Sequence, residues 1–307
     1  MWTALDDSLC QLGESPFWHP HERSLYWLDI PGRAVLRTRG EIGGKPTVER
    51  WSLPTEPGCM APAARGGLVI ALRDGIYRAR KWGGALTVLA HVDHDARSMR
   101  FNDGKCDAQG RFWAGTLNEA KDRASGALYC LDARGGRAPQ LTRMAEGVTT
   151  ANGLAFAPDA AALYWADTAA HCVSVWDWDA QANRLARPRV LRQFEAKPEG
   201  WSSTSAQRYQ GRPDGATVDA EGCYWVAMFE GGQLLRFSPL GEQVAALPVP
   251  VQCPTMPCFG GDDLRTLFVT SARRGRPADE LEQRPASGQV IAMRSEVSGL
   301  PVHFFAE

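Results

Sequence analysis

One segment of this chain recurs, and the recurrence limits what the chain can fold into. Pro213-Asp214-Gly215-Ala216-Thr217-Val218-Asp219-Ala220-Glu221-Gly222-Cys223-Tyr224-Trp225 has a clear copy in Asn102-Asp103-Gly104-Lys105-Cys106-Asp107-Ala108-Gln109-Gly110-Arg111-Phe112-Trp113. With Asn102 under Asp214, Asp107 falls under Asp219, Gly110 under Gly222 and Trp113 under Trp225. Each copy reads as a polar opening, a short strand, a turn and an aromatic strand. Further openings occur at Glu14, Gly58, Asn152 and Thr255, which makes six. Their spacing of roughly 40 to 60 residues suits propeller blades, and a unit unable to bury its own apolar face must stack on neighbours.

Each opening leads through a second strand to a third beginning near a small residue, such as Gly75-Ile76-Tyr77-Arg78, Gly126-Ala127-Leu128-Tyr129-Cys130 or Gly288-Gln289-Val290-Ile291-Ala292. Fourth strands are fainter, with candidates at 86–89, 190–194 and 243–247. Short alternating runs between Gly, Pro and Asp turns favour antiparallel meanders, and no long helical period competes. The expected fold is all-β, a six-bladed β-propeller forming a single domain over residues 1–307. Pro198 to Pro213 reads as an inserted loop.

The totals narrow the function. A net charge of -1 on 307 residues gives no general attraction to nucleic acid or to acidic membranes. Acids at Asp6 and Asp7 argue against a signal peptide, and no apolar run is long enough to cross a bilayer, so a cytoplasmic protein is expected. The eight cysteines suit free thiols packed as small hydrophobes. Cys253 and Cys258 are spaced too widely for a CxxC zinc pair.

In a meander the start of each first strand and the end of each second strand share a face. Glu14, Asn102, Asn152 and Asp214 should therefore converge on one mouth of the central channel. The loop Thr116–Ser125 and the insertion near Trp201 open on the same face. Two carboxylates and an amide oxygen there suit a divalent cation, with Glu14, Asn152 and Asp214 as its ligands. Asn or Asp before Gly also simply makes turns, but three donors at equivalent blade positions favour the metal. Arg100 and Asn102 share a strand face and can bind hydroxyl and carbonyl oxygens. Glu119 can accept hydrogen bonds from substrate hydroxyls, or be a solvated loop acid. His19 and His21 read as solvated turn residues on the far face, and His91 and His94 as solvated residues of a connection. Trp18, Trp27, Trp113, Trp165 and Trp225 read as packing between blades.

Leu12-Gly13-Glu14-Ser15-Pro16-Phe17-Trp18, Arg100-Phe101-Asn102-Asp103-Gly104-Lys105, Asn152-Gly153-Leu154-Ala155-Phe156 and Pro213-Asp214-Gly215 closely resemble motifs of the SMP-30/gluconolactonase/LRE family. The resemblance extends over nearly the whole chain, including Cys258-Phe259-Gly260-Gly261. It implies a six-bladed propeller that hydrolyses sugar lactones with one divalent metal, calcium, zinc, manganese or iron(II). By motif, Glu14, Asn152 and Asp214 match the metal ligands, Arg100 and Asn102 match substrate-binding residues, and Glu119 falls close to a substrate-binding acid. The expected reaction is metal-dependent hydrolysis of an aldonolactone to its aldonic acid, with Asp214 as general base toward water. A metal-dependent esterase or phosphotriesterase, and a non-enzymatic metal-binding propeller, are the alternatives. Neither the sugar nor the oligomeric state follows from the sequence.

Overall fold

The computed structural model, which describes residues 1–40 and 46–307, holds six four-stranded antiparallel sheets, five of which run in sequence order from an inner strand to an outer one. The inner strands are Gly13–His19, Pro57–Pro62, Met99–Cys106, Ala151–Phe156, Arg212–Val218 and Pro254–Gly260. They pack against one another around the axis, giving the expected six-bladed β-propeller. All six expected openings fall within them.

The recurring segment has a local cause. Asp107 takes the turn amides of Gln109 and Arg111 on one carboxylate oxygen and the Trp113 indole N–H, at 2.8 Å, on the other. Asp219 does the same with the amides of Glu221 and Cys223 and the Trp225 indole, also at 2.8 Å. One acid thus satisfies a tight turn and fixes the next strand's aromatic residue, which needs a partner once buried.

The apolar core divides by blade interface. Phe17 and Tyr26 meet Met60 and Ile70 between blades one and two, and Val69 meets Phe101 and Phe112 between two and three. Trp113 meets Phe156 and Trp165 between three and four, and Tyr164 meets Tyr224 between four and five. Trp225 meets Phe259 between five and six, and Trp18 and Trp27 meet Phe268 where six returns to one. The five tryptophans are buried in these layers, as their strand positions indicate.

Closure of the ring adds what the repeat does not announce. Thr3–Ala4 pairs with Ile291–Arg294, so the start of the chain supplies the outer strand of blade six. At the other terminus the tail crosses the face opposite the openings. The Ala220 N–H donates to Ser298 O, the Phe305 N–H to Pro62 O and the Ala306 N–H to Gly110 O, and Phe305 is fully buried. This tail corrects the reading of His19. The residue lies on the far face, as expected, but it is buried, its ring 5.4 Å from that of Phe304. His21 stays exposed. His94 is half-buried, with Nε2 2.8 Å from Arg73 O, so it is not the solvated residue expected. The stretch from 194 to 211, between the outer strand of blade four and the inner strand of blade five, is a loop that holds no strand.

Candidate active site

Every inner strand slips register with its neighbour at its opening. The shifts fall between Glu14 and Phe17, Pro57 and Cys59, Phe101 and Gly104, Asn152 and Ala155, Pro213 and Ala216, and Pro254 and Pro257. A bulge opposes two residues to one and re-aims the side chain it carries. Here it lets the opening residues leave strand alternation and face the channel mouth. Two bulges use the left-handed region, with φ of 51° at Ser15 and 59° at Gly153. A Cβ on Gly153 would lie 2.5 Å from the Tyr224 hydroxyl and 2.8 Å from Ala166 Cβ. Gly153→Ala should therefore cost about 1–3 kcal/mol from backbone strain alone. A urea midpoint equal to that of the parent would refute this account of the bulge.

The six side chains expected from the sequence, Glu14, Arg100, Asn102, Glu119, Asn152 and Asp214, all line one cavity of about 240 Å³ at this mouth. A hydrogen-bonded chain orders its floor. Arg100 donates to Asn102 Oδ1 at 2.9 Å, and Asn102 Nδ2 donates to Ala151 O at 2.9 Å and Asn152 Oδ1 at 2.8 Å. Asn152 Nδ2 donates to the Thr168 hydroxyl at 2.7 Å, which passes its own hydrogen to Pro213 O at 2.7 Å. This fixes which end of the Asn152 amide is oxygen and leaves that oxygen a second lone pair, as a metal ligand's outer partners must.

Burial sets the electrostatics. Glu14 is 6% exposed, and burial first, then the charges of Asp214 and Asp103, push its carboxyl well above the usual range. Asp214, also 6% exposed, is pushed up to about 8 by burial and by Asp103. Asp103 lies beneath them, raised by burial, with one oxygen on the Leu154 N–H at 2.7 Å and the other without a partner among the described residues. Lys105 beside Asp103 and Arg100 near Glu14 offset part of this charge without returning the carboxyls to their usual range, and further positive charge would favour their ionised form. The donor set of two carboxylates and one oriented amide oxygen fits a hard divalent cation. Among the described residues no three of His, Cys, Asp and Glu surround a common point, so such a cation needs the Asn152 oxygen as well.

Glu119 is not a freely solvated acid. Arg73 binds both its oxygens, at 2.8 and 3.1 Å, and Arg100 lies 3.6 Å away. The Arg73 hydrogen bonds hold the Glu119 carboxyl below its ordinary range. Arg73 also bonds Glu56 at 3.2 Å, so it ties the second-blade loops to the third. Sequence reasoning missed Arg73, Thr168, Lys121, Arg212 and Arg274, the last four of which line the cavity. Two of them carried a signal: Arg212 opens the Pro213-Asp214-Gly215 motif, and Lys121 sits in the loop expected on this face. Trp201 does not line the cavity; it packs on Tyr209 at 5.0 Å. A second cavity of about 110 Å³ lies deeper in the channel against the tail, and its wall, which includes Met256, Pro301 and His303, has no carboxylate.

Comparison with known proteins shows the family. Residues 12–273 match the family described as the SMP-30/Gluconolactonase/LRE-like region. The chain is 41% identical over 295 residues to the 6-deoxy-6-sulfogluconolactonase of Pseudomonas putida, covering 96% of this chain and 95% of that protein. It is 32% identical over 306 residues to the regucalcin of Gallus gallus, covering 96% and 95%. The crystal structure of a calcium-binding regucalcin from Agrobacterium tumefaciens superposes with a TM-score of 0.86 at 26% identity, over 99% of this chain and 97% of that one.

Proposed function

The chain belongs to the SMP-30/gluconolactonase/LRE-like family, and from that membership we propose that it hydrolyses a sugar lactone to the aldonic acid, using one divalent cation held by Glu14, Asn152 and Asp214. The observation that carries the reading is the pair of buried carboxylates beside an amide oxygen whose orientation Asn102 and Thr168 fix. A cation bound there would polarise the lactone carbonyl and stabilise the charge that develops on its oxygen.

The protein's own groups do the rest. Arg100 donates to a substrate carbonyl or hydroxyl oxygen, the free lone pair of Asn102 Oδ1 accepts from a substrate hydroxyl, and Glu119, ionised and fixed by Arg73, accepts from another. Asp214 takes a proton from the attacking water as the new C–O bond forms. The ring C–O bond then breaks, and the proton passes to the departing ring oxygen.

The test is lactone hydrolysis followed with a pH indicator on metal-stripped protein, with calcium, zinc, manganese and iron(II) restored singly. The panel holds gluconolactone, galactonolactone, arabinonolactone, xylonolactone and, because of the Pseudomonas relative, 6-deoxy-6-sulfogluconolactone. Metal-restored turnover supports the proposal. Silence across the panel, with turnover of a simple ester or phosphotriester instead, overturns it. Within the same assay Arg100→Ala should raise KM about tenfold or more, the loss of a charged hydrogen bond to substrate. An unchanged KM would remove Arg100 from the binding set.

A further inference from the structure

The cavity carries more positive charge than a neutral lactone can use. Its wall holds four cations, Arg100, Lys121, Arg212 and Arg274, against three carboxylates, Glu14, Glu119 and Asp214. Both Glu119 oxygens are occupied by Arg73, which is not part of the wall. Glu14 and Asp214 are the acids assigned to the divalent cation. Arg212 lies 3.4 Å from Glu230, but Glu230 is shared with Lys197 at 2.8 Å and Arg276 at 2.9 Å, so one carboxylate serves three cations. Glu280 binds Arg276 and leaves that group one positive charge in excess. Among the described residues Lys121 and Arg274 have no ion-pair partner, and both are exposed at the mouth. Lys121 and Arg212 line the same cavity wall.

We propose that Lys121, Arg212 and Arg274 form an anion subsite, and that the substrate lactone carries an oxyanion, sulfonate, phosphate or carboxylate, on the end away from its lactone carbonyl. The proposal rests on the lactonase reading above. Like charges gathered around a concave, partly desolvated site repel one another, and an entering anion relieves the repulsion. The residue types suit an oxyanion, since two guanidinium forks match its paired oxygens and an ammonium adds a point charge. Arg212 is held over the Phe229 ring at 5.2 Å, which constrains its position at the cavity wall. Arg212 stands two residues before Asp214 in blade five, and Arg274 follows the second strand of blade six, Thr266–Ser271. The subsite therefore draws Arg212 from blade five and Arg274 from blade six, with Lys121 added from the loop after the second strand of blade three, Phe112–Asn118.

Matched lactones test this: one six-carbon aldonolactone with a neutral 6-hydroxyl, and analogues bearing a 6-sulfonate, 6-phosphate or 6-carboxylate. The parent protein should prefer at least one anionic form in kcat/KM by about tenfold or more, the value of a charged hydrogen bond. Which of the three is preferred identifies the anion. Lys121→Gln and Arg274→Gln should each reduce the ratio of anionic to neutral kcat/KM about tenfold. Added salt should erode the same ratio. Calorimetric binding of the 6-sulfonated and neutral aldonic acids gives a readout without turnover, and unchanged thermal unfolding of both variants excludes misfolding. Efficient hydrolysis of the neutral lactone with no preference for any anionic form would overturn the subsite while leaving the lactonase intact. Binding of the sulfonated acid that depends on Lys121 and Arg274, without hydrolysis of any lactone, would uphold the subsite and sink the lactonase reading.

Discussion

Asp214→Asn is expected to lower kcat for lactone hydrolysis by a factor of about 10³ or more, because one substitution removes a metal ligand and the base together. Asn matches Asp in shape, so the bulge between Pro213 and Ala216 and the Thr168 bond to Pro213 O should persist. Stability should not fall. At 6% exposure and with Asp103 nearby, the parent carboxylate is a destabilising charge whenever it ionises without a cation. Metal-free Asp214→Asn should therefore unfold at the same temperature as the parent or higher. Glu14→Gln separates the two roles, since it weakens the metal site and leaves the base in place. At saturating metal Glu14→Gln should recover turnover, whereas Asp214→Asn should not. Substantial turnover by Asp214→Asn at saturating metal would mean that another group takes the proton.

Much of this site could be read in the sequence because its residues are tied to the repeat. Glu14, Asn102, Asn152 and Asp214 all stand at the bulge that opens an inner strand, Glu14 and Asn152 on its first residue and Asn102 and Asp214 on the next, so aligning the copies brought together the side chains that meet to within one residue. Asp107 and Asp219 kept the copies recognisable by holding the same turn amides and the same indole. What escaped has no such period. Outer strands such as Thr47–Ser52 and Gln140–Val148 face solvent and show no strict buried alternation, so hydrophobic pattern gives them no signature. The closing strand Thr3–Ala4 is two residues long and pairs with the opposite end of the chain. The helix Ala278–Gln283 is too short to show a helical period. Within the site, Arg73 of blade two reaches Glu119 of blade three, and Thr168, at the end of blade four's second strand, binds Pro213 O of blade five. Contacts between different blades depend on how the blades are arranged in space, which no single copy of the repeat records.

Metal affinity should depend steeply on pH, and the direction follows from the raised carboxyls. Asp214 in the folded, metal-free protein titrates near 8, far above an unfolded aspartate, and Glu14 is raised as well. The folded state therefore holds extra protons at neutral pH. The stability these groups contribute is fully present below the unfolded pKa, about 4, and is lost as pH rises toward 8. Metal-stripped protein should accordingly unfold at lower temperature at pH 8.5 than at pH 6, and bound metal should remove most of that difference. A cation needs the ionised ligands, so binding below pH 8 must expel protons, and the apparent Kd should fall about tenfold per pH unit for each proton displaced. Above pH 8 the Asp214 contribution should level off. Calorimetry in two buffers of different ionisation enthalpy counts the protons directly, and Asp214→Asn should release one fewer than the parent. The same protonation reconciles the two roles given to Asp214: neutral in the empty site, it becomes a ligand and a base when the cation displaces its proton. A Kd that does not change between pH 6 and pH 8 would show that neither raised carboxyl is a ligand, and Glu14 and Asp214 would then have to be replaced as the metal's anchors.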